Sequence, residues 1–443
     1  MSELKARLRD LDLDALTDRE LLLAAVAVFL ALAGLLWLGF GLLDPPPPRT
    51  LILSAGRPGG GYWAAAQRYR ALFEANGVAL EVRESSGSVE NLGRLKDPAS
   101  GVSIALVQGG TGSDADAADG RIEAAASLYY EPILVFHHLP GSVTRLAQLR
   151  GRRIVVGDPG SGTLATAEEL LGANGVDRQN STFLTLSPEA GVEALKRGQA
   201  DAVFVIAAAE SPVVEEAFRA GLPLVDFEQA DAYVRRFGWL SKVVLPRGAV
   251  SLASDYPGSD VHLLAPTANL LVRSDLNPAL AYLLLEIATE VHSGPGLFQH
   301  AGEFPAPPAP GFIQSPEAKR YFQSGKPFFQ RYLPFWVANR LERTLVVVVP
   351  FLVLLLPLLR IGPAVVRWRK KARINRLYGE LKAIEEKFPL PLDAAHAAAC
   401  AEALSAVEGR VRALRLPLQF GNDQYQLRSH IQLLRARLPP EAA

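Results

Sequence analysis

The stretch from Gly157 to Leu171, GDPGSGTLATAEELL, follows the strand-like Arg153–Val156 and runs into a helix-like segment. A glycine-rich turn at that position offers chemistry. The first amides of a helix are unpaired donors, and the helix dipole adds partial positive charge, so such a turn binds anions. Gly157 and Gly162-Thr163 have the glycine spacing of a phosphate loop, but the lysine that would meet the phosphates is missing. Gly157, Gly160 and Gly162 are also wrongly spaced for a dinucleotide fingerprint. Two further turns share this character: Gly59-Gly60-Gly61-Tyr62, and Ser85-Ser86-Gly87-Ser88. One such turn is usually only a strand-to-helix connection. Three, at the ends of strands that converge on a cleft, describe a pocket for a small anion, most simply a carboxylate.

Other chemistry fails on spacing. No Gly-x-Ser-x-Gly elbow surrounds Ser88, Ser142 or Ser161. His137 and His138 are adjacent on a strand and would face opposite ways. His262, His292 and His300 show no metal-ligand spacing. No catalytic residue, metal or cofactor is therefore expected. Lys and Arg (46) balance Asp and Glu (46), and no basic stripe is interleaved with aromatics, which argues against nucleic acid as a partner. The single cysteine, Cys400, excludes an intrachain disulfide.

The elements that must position these turns lie in an alternation of apolar strands and amphipathic helices. Strands are expected at Thr50–Ala55, Ala79–Glu84, Ser103–Val107, Ile133–Phe136, Arg153–Val156 and Ala202–Ile206. Helices are expected at Tyr62–Asn76, Val89–Leu95 and Leu164–Asn174. This is α/β with a largely parallel sheet, and its length suits two lobes.

Mean hydropathy is high at +0.13, and two flanking segments account for it. Leu21–Leu43 carries no charge and would run about 34 Å as a helix, enough to span a bilayer. Thr344–Leu359 is shorter and holds Pro350 and Pro357, but Arg343 and Arg360 can snorkel at its ends. Arg367, Arg369, Lys370, Lys371, Arg373 and Arg376 follow, with Trp336 and Trp368 as interfacial anchors. The basic run predicts two spans in the cytoplasmic membrane with both termini inside, and the tetraproline Pro45–Pro48 reads as a stiff spacer. In the tail, Ile374, Leu377, Leu381, Ile384 and Phe388 form one seam at 3/4 spacing. Ala397, Cys400, Leu404, Val407, Val411 and Leu414 form another, which makes Cys400 a small buried hydrophobe. The break at Pro389 and Pro391 predicts an antiparallel hairpin, and Leu427, Ile431, Leu434 and Leu438 leave room for a third helix.

In "GRPGGGYW", "SSGSVENL", "ALVQGG", "LYYEPILV", "GDPGSGT" with its helix to "LLGANGV", and "ALKRGQADAVFVIAA", the chain resembles the TAXI family of TRAP-transporter solute receptors. The pieces occur in family order over Thr50 to Ser293. The resemblance implies a two-lobed α/β periplasmic-binding-protein fold of type II, set here between two transmembrane helices and followed by the helical hairpin. The divisions expected are a cytoplasmic 1–20, a span at 21–43 and a proline linker at 44–49. Lobe 1 would take 50–137 and 242–335, lobe 2 would take 138–241, a second span 344–361 and the tail 366–443. It also implies a small organic acid or amino acid as ligand, handed to TRAP membrane permease subunits. Carried over by position, Gly61, Tyr62, Ser88, Asn91, Gln108, Glu131, Ser161, Gly162 and Thr163 would line the cleft. Tyr62 would cover the ligand and Glu131 would sit on the crossing strand. Core packing suits Tyr62 equally, and turn or cap roles suit Asn91 and Gln108. Two anchors and a cytoplasmic tail depart from the family pattern, so a membrane sensor or adaptor that reports through its tail is the alternative function.

Overall fold

The structure, a computed structural model, describes residues 26–27, 29–35, 38, 46–112, 116, 120–389, 394–414 and 420–438. The chain divides into two compact units, Pro46–Glu342 on one side and Met1–Pro45 with Arg343–Ala443 on the other.

The first unit begins with β1 (Thr50–Ser54), α1 (Gly61–Ala75), β2 (Ala79–Arg83), α2 (Ser88–Lys96) and β3 (Ile104–Gln108). Every residue of β3, IALVQ, is buried, as expected of a strand whose sheet is covered on both faces. Ile104 and Leu106 join a core with Tyr69 and Phe73 of α1. Ala105 and Val107 join a second one with Leu92 and Leu95 of α2. After β4 (Ile122–Tyr130) the chain leaves this sheet and returns to it as β11 (Thr267–Arg273), giving the order β2-β1-β3-β11-β4. β11 is antiparallel to both its neighbours, so the sheet is mixed where a largely parallel one was expected.

Between those two crossings the chain builds its second lobe. The elements are β5 (Ile133–His137), β6 (Arg153–Val155), α3 (Gly162–Ala173), β7 (Thr182–Leu184), α4 (Pro188–Lys196) and β8 (Ala202–Ile206). They continue with α5 (Pro212–Arg219), α6 (Ala230–Arg236), β9 (Ser241–Leu245) and β10 (Val261–Ala265). The sheet order is β5-β8-β6-β7, with β9 and β10 as a separate antiparallel pair. One core takes in Ile133–Phe136, Val203–Val205, Val243, Leu245 and Leu263–Ala265. The lobe boundaries therefore fall at Glu131/Pro132 and Ala265/Pro266, not at 137/138 and 241/242. The reason is pairing: β5 hydrogen-bonds β8, and β10 bonds β9, so both stay with the second lobe. The crossings are tied together, the Glu131 amide donating to Pro266 O at 2.9 Å. Helices α7 (Pro278–His292) and α8 (Pro316–Ser324) then pack on the first lobe.

A single helix, α9 (Phe335–Lys387), contributes Phe335 to the first-lobe core and Leu377 and Leu381 to the tail core. With α10 (Ala394–Ala413) and α11 (Gly421–Arg435) the tail forms three helices around Cys400, Leu404, Val407, Leu427 and Ile431, one more than a hairpin. Arg410 meets Glu380 at 2.8 Å, and Arg435 meets Glu408 at 3.0 Å. Phe388 and Cys400 line one cavity at the other end of the same helix pair, so α9 and α10 run antiparallel there.

No helix among the described residues is long and apolar enough to cross a membrane. Most of the expected span 21–43, and the side chains of 354–361 within the expected span 344–361, lie outside the described residues. Of the remainder, Leu30, Leu32, Leu35, Leu38, Val346, Val349, Leu352 and Val353 are exposed, and the rings of Phe29 and Phe351 lie 4.3 Å apart.

Candidate ligand-binding site

The turns singled out by sequence end on the cleft between the lobes, and two of them touch. At Gly87 the backbone adopts φ of +138°, which favours glycine, and an added methyl would lie 3.1 Å from Ser161 Cα. A methyl on Gly162 would lie 2.9 Å from Gln108 Oε1 and 3.0 Å from Ser88 Oγ. The starts of α2 and α3 thus come together, with glycine at both points of closest approach. Gln108, at the end of β3, crosses the cleft: its Nε2 donates to Thr166 Oγ1 of α3 at 2.7 Å. Arg57 and Asp158 pair across it at 2.7 Å.

Side chains at these starts are used differently. Ser161 caps its own helix, accepting from the Leu164 amide at 3.1 Å and donating to Asp158 O at 2.7 Å, so its hydroxyl is spent locally. Gly162 and Thr163 keep first-turn amides that no carbonyl within the helix can reach. At α2, Glu90 reaches back to the Ser86 amide at 2.8 Å and to its hydroxyl, and those bonds hold the Glu90 carboxyl below the usual range. Asn91 is fully buried. Its Oδ1 accepts from Ser54 Oγ and Ser85 Oγ, each at 2.6 Å, and its Nδ2 donates to Leu106 O at 2.8 Å. Asn91 is a positioning residue that ties β1, β3 and the α2 start together.

The other wall carries two further hydrogen bonds. The Gln108 backbone amide donates to Ser88 Oγ at 2.9 Å, and Tyr62 Oη donates to Glu131 Oε2 at 2.8 Å. Glu131 sits on the first crossing and is 4% exposed. Burial pushes its carboxyl up to about 8, against the opposing pull of the Tyr62 bond. Burial, and then Glu131 itself, pushes the Tyr62 hydroxyl up. Gly61 lies beside Tyr129, whose hydroxyl would be 3.7 Å from a methyl placed there.

Sequence reasoning missed Tyr129, Thr166 and Glu210. Tyr129 stands two residues before Glu131 on an extended segment, a spacing that puts both on one face. Its ring stacks on His292 at 5.4 Å, and burial, then Glu131, raises its hydroxyl. Thr166 is one helical turn after Thr163. Glu210 follows β8, accepts from the Leu297 amide at 3.4 Å and adds to the field on Tyr129. No local pattern marked it. Thr111 and Ser211, in the loops after β3 and β8, hold buried hydroxyls without a partner among the described residues. Also among the described residues, no three His, Cys, Asp or Glu side chains come together as metal ligands.

Two α/β lobes, joined by two crossings around a cleft with helix starts on both walls, make this a periplasmic-binding-protein-like fold. A model of the NMT1-like family matches residues 53–294, more than half of the chain, and the chain belongs to that family. Solved structures similar to it include the periplasmic aliphatic sulphonate binding protein SsuA from Escherichia coli. That protein is 14% identical over 56% of this chain and 73% of its own, with a TM-score of 0.37. An ancestral arginine-binding protein bound to arginine is 14% identical over 55% and 93%, with a TM-score of 0.36. A histidine kinase sensor domain with similarity to periplasmic binding proteins is 15% identical over 55% and 90%, with a TM-score of 0.35.

Proposed function

We propose that the α/β unit is an extracytoplasmic solute-binding domain that captures a small organic acid or amino acid between its lobes. The observation that carries this reading is the meeting of the α2 and α3 starts at Gly87, Ser161 and Gly162. Two positive helix ends facing each other across a cleft are relieved by an anion between them. Gly61, Tyr62, Ser88, Gln108, Glu131, Gly162 and Thr163 would line the ligand, with Asn91 and Ser161 holding the turns. Full-length protein purified in detergent is expected to release a small acid on denaturation, identified by mass spectrometry. It should also bind members of a panel of organic acids and amino acids by calorimetry. Absence of both would refute the reading.

The TAXI resemblance extends the proposal to delivery of the solute to TRAP membrane permease subunits. The exposed apolar residues of 30–38 and 346–353 favour anchoring in the cytoplasmic membrane, with the tail inside. A reporter fused at Ala443 that signals from the periplasm would exclude that topology. The packed three-helix core of the tail favours a second reading, in which occupancy of the cleft is reported through the tail to a cytoplasmic partner. Co-purification of a permease supports transport, and of a kinase or regulator, sensing.

A further inference from the structure

We propose that the surface built by Phe328, Tyr332 and Val337 is a membrane seat, which rests on phospholipid headgroups and holds the first lobe against the bilayer. This rests on the anchoring reading and deepens it, from a tethered domain to a domain with one fixed face. The surface belongs to 326–342, the last segment of the α/β unit. Phe328 is 66% exposed and Tyr332 is 74% exposed, although their rings pack on each other at 5.5 Å and Phe328 also meets Phe329 at 5.3 Å. Val337 carries exposed apolar surface onto the first turn of α9, while Phe335, Ala338 and Asn339, on another face of that helix, are buried. Clustered rings left outward in this way mark a surface that something apolar covers.

Three observations point to lipid as the occupant. The chain enters and leaves the domain at one place. Arg49, directly after the tetraproline, lies over the Trp336 ring at 5.6 Å, and Trp336 Nε1 donates to Asn76 O at 2.8 Å. Gly77 makes room for this contact, with φ of +73° and only 2.9 Å between an added methyl and Trp336 Nε1. Trp336, expected from sequence as an interfacial anchor, is therefore spent on the domain itself, and the outward role passes to its neighbours. An entry and an exit side by side turn one face of the domain toward whatever holds both ends. The second observation is continuity: the exposed Val346, Val349 and Leu352 follow Glu342 within ten residues. The third is charge. Arg331 donates to Lys326 O and Ser324 O, each at 2.9 Å, and among the described residues no carboxylate pairs with Arg331 or Arg49. Rings flanked by guanidinium groups suit the headgroup layer, where amphipathic aromatics settle and phosphates accept from arginine.

The test uses the full chain carrying Cys400→Ala, reconstituted into vesicles of phosphatidylethanolamine and phosphatidylglycerol. A polarity-sensitive fluorophore is attached at Tyr332→Cys and, in separate proteins, at Val349→Cys and at Leu252→Cys, an exposed position of the second lobe. Lipid with a nitroxide on its headgroup is expected to quench the label at 332 several-fold more than the label at 252, and emission at 332 should shift to the blue. Phe328→Asp should return the label at 332 to the behaviour seen at 252. Phe328 is mostly exposed, so this variant should keep its melting transition. Quenching at 349 without quenching at 332 overturns the inference and leaves anchoring standing. Quenching at 332 that survives Phe328→Asp also overturns it, because the dye would then have entered the lipid by itself. Quenching at 332 but not at 349 supports the seat and removes the second span. If neither position is quenched, the anchoring reading falls and takes this inference with it.

Discussion

The two lobes answer the same topological question with different chemistry. In each sheet the first parallel strand, β1 or β6, lies between the second and third, and a glycine-rich turn leads from it into a helix. At α3 the turn is closed by its own Ser161 hydroxyl, so the second lobe presents backbone and small groups. At α1 no side chain caps the start, and Tyr62 reaches out to Glu131 on the crossing. Backbone amides accept any small acid. Side chains in a satisfied buried network discriminate, because a ligand that fails to match them leaves groups unpaired. On the proposed solute-binding reading, the second lobe would supply general anion capture and the first would supply selectivity.

The largest effect is expected from Gly162→Val, since even its Cβ would meet Gln108 Oε1 and Ser88 Oγ at about 3 Å. The lobes could not close, and ligand affinity measured by calorimetry should fall more than about a hundredfold while the melting transition persists. Unchanged affinity would show that the second-lobe turn is only a connection.

Next comes the pH dependence of the ligand-free protein. The Glu131 carboxyl ordinarily titrates at 4.5, but in the folded state at about 8. The folded protein holds a proton that the unfolded chain has released, so this contribution is full below 4.5 and lost as pH rises through 8. Denaturant unfolding should show a decline on the order of a few kcal/mol over that window, and Glu131→Gln should flatten it. A curve that is already flat in the unmodified protein would remove the buried carboxyl from the account.

Asn91→Leu should cost about 2–3 kcal/mol of stability, because the buried Ser54 hydroxyl loses its acceptor and Leu106 O loses its donor. If ligand affinity collapses while stability holds, Asn91 is a contact and not a support. Thr163→Ala is the mildest test. Removing one hydroxyl from the amide-rich turn should weaken binding by roughly 1 kcal/mol, visible as a several-fold change in calorimetric affinity. A larger loss would mean that the second lobe also selects through side chains.

Features with a local cause were legible in the chain. Gly87, Gly162 and the hydroxyl residues beside them mark helix starts whatever surrounds them, since caps and backbone freedom act within a few residues. The tail seams were equally legible, because a 3/4 spacing places Leu377, Leu381, Cys400 and Leu404 on helix faces that have to be covered. Pairings across the chain were not. Ser161 looked like a ligand donor until its cap geometry used up the hydroxyl. β5 and β10 were misassigned because an apolar strand does not announce which sheet will take it.

By itself, then, the sequence determined an α/β chain with amide-rich turns after its strands, a helical tail, and chemistry suited to a small acid. Only the tertiary structure decided that Tyr62 meets Glu131 across 69 positions, that Gln108 reaches Thr166 across the cleft, and that the crossings fall at Pro132 and Pro266. Turn and helix signals come from short-range sterics and hydrogen bonds. The burial that pushes the Glu131 carboxyl up is assembled from residues distant in sequence and exists only once they have met.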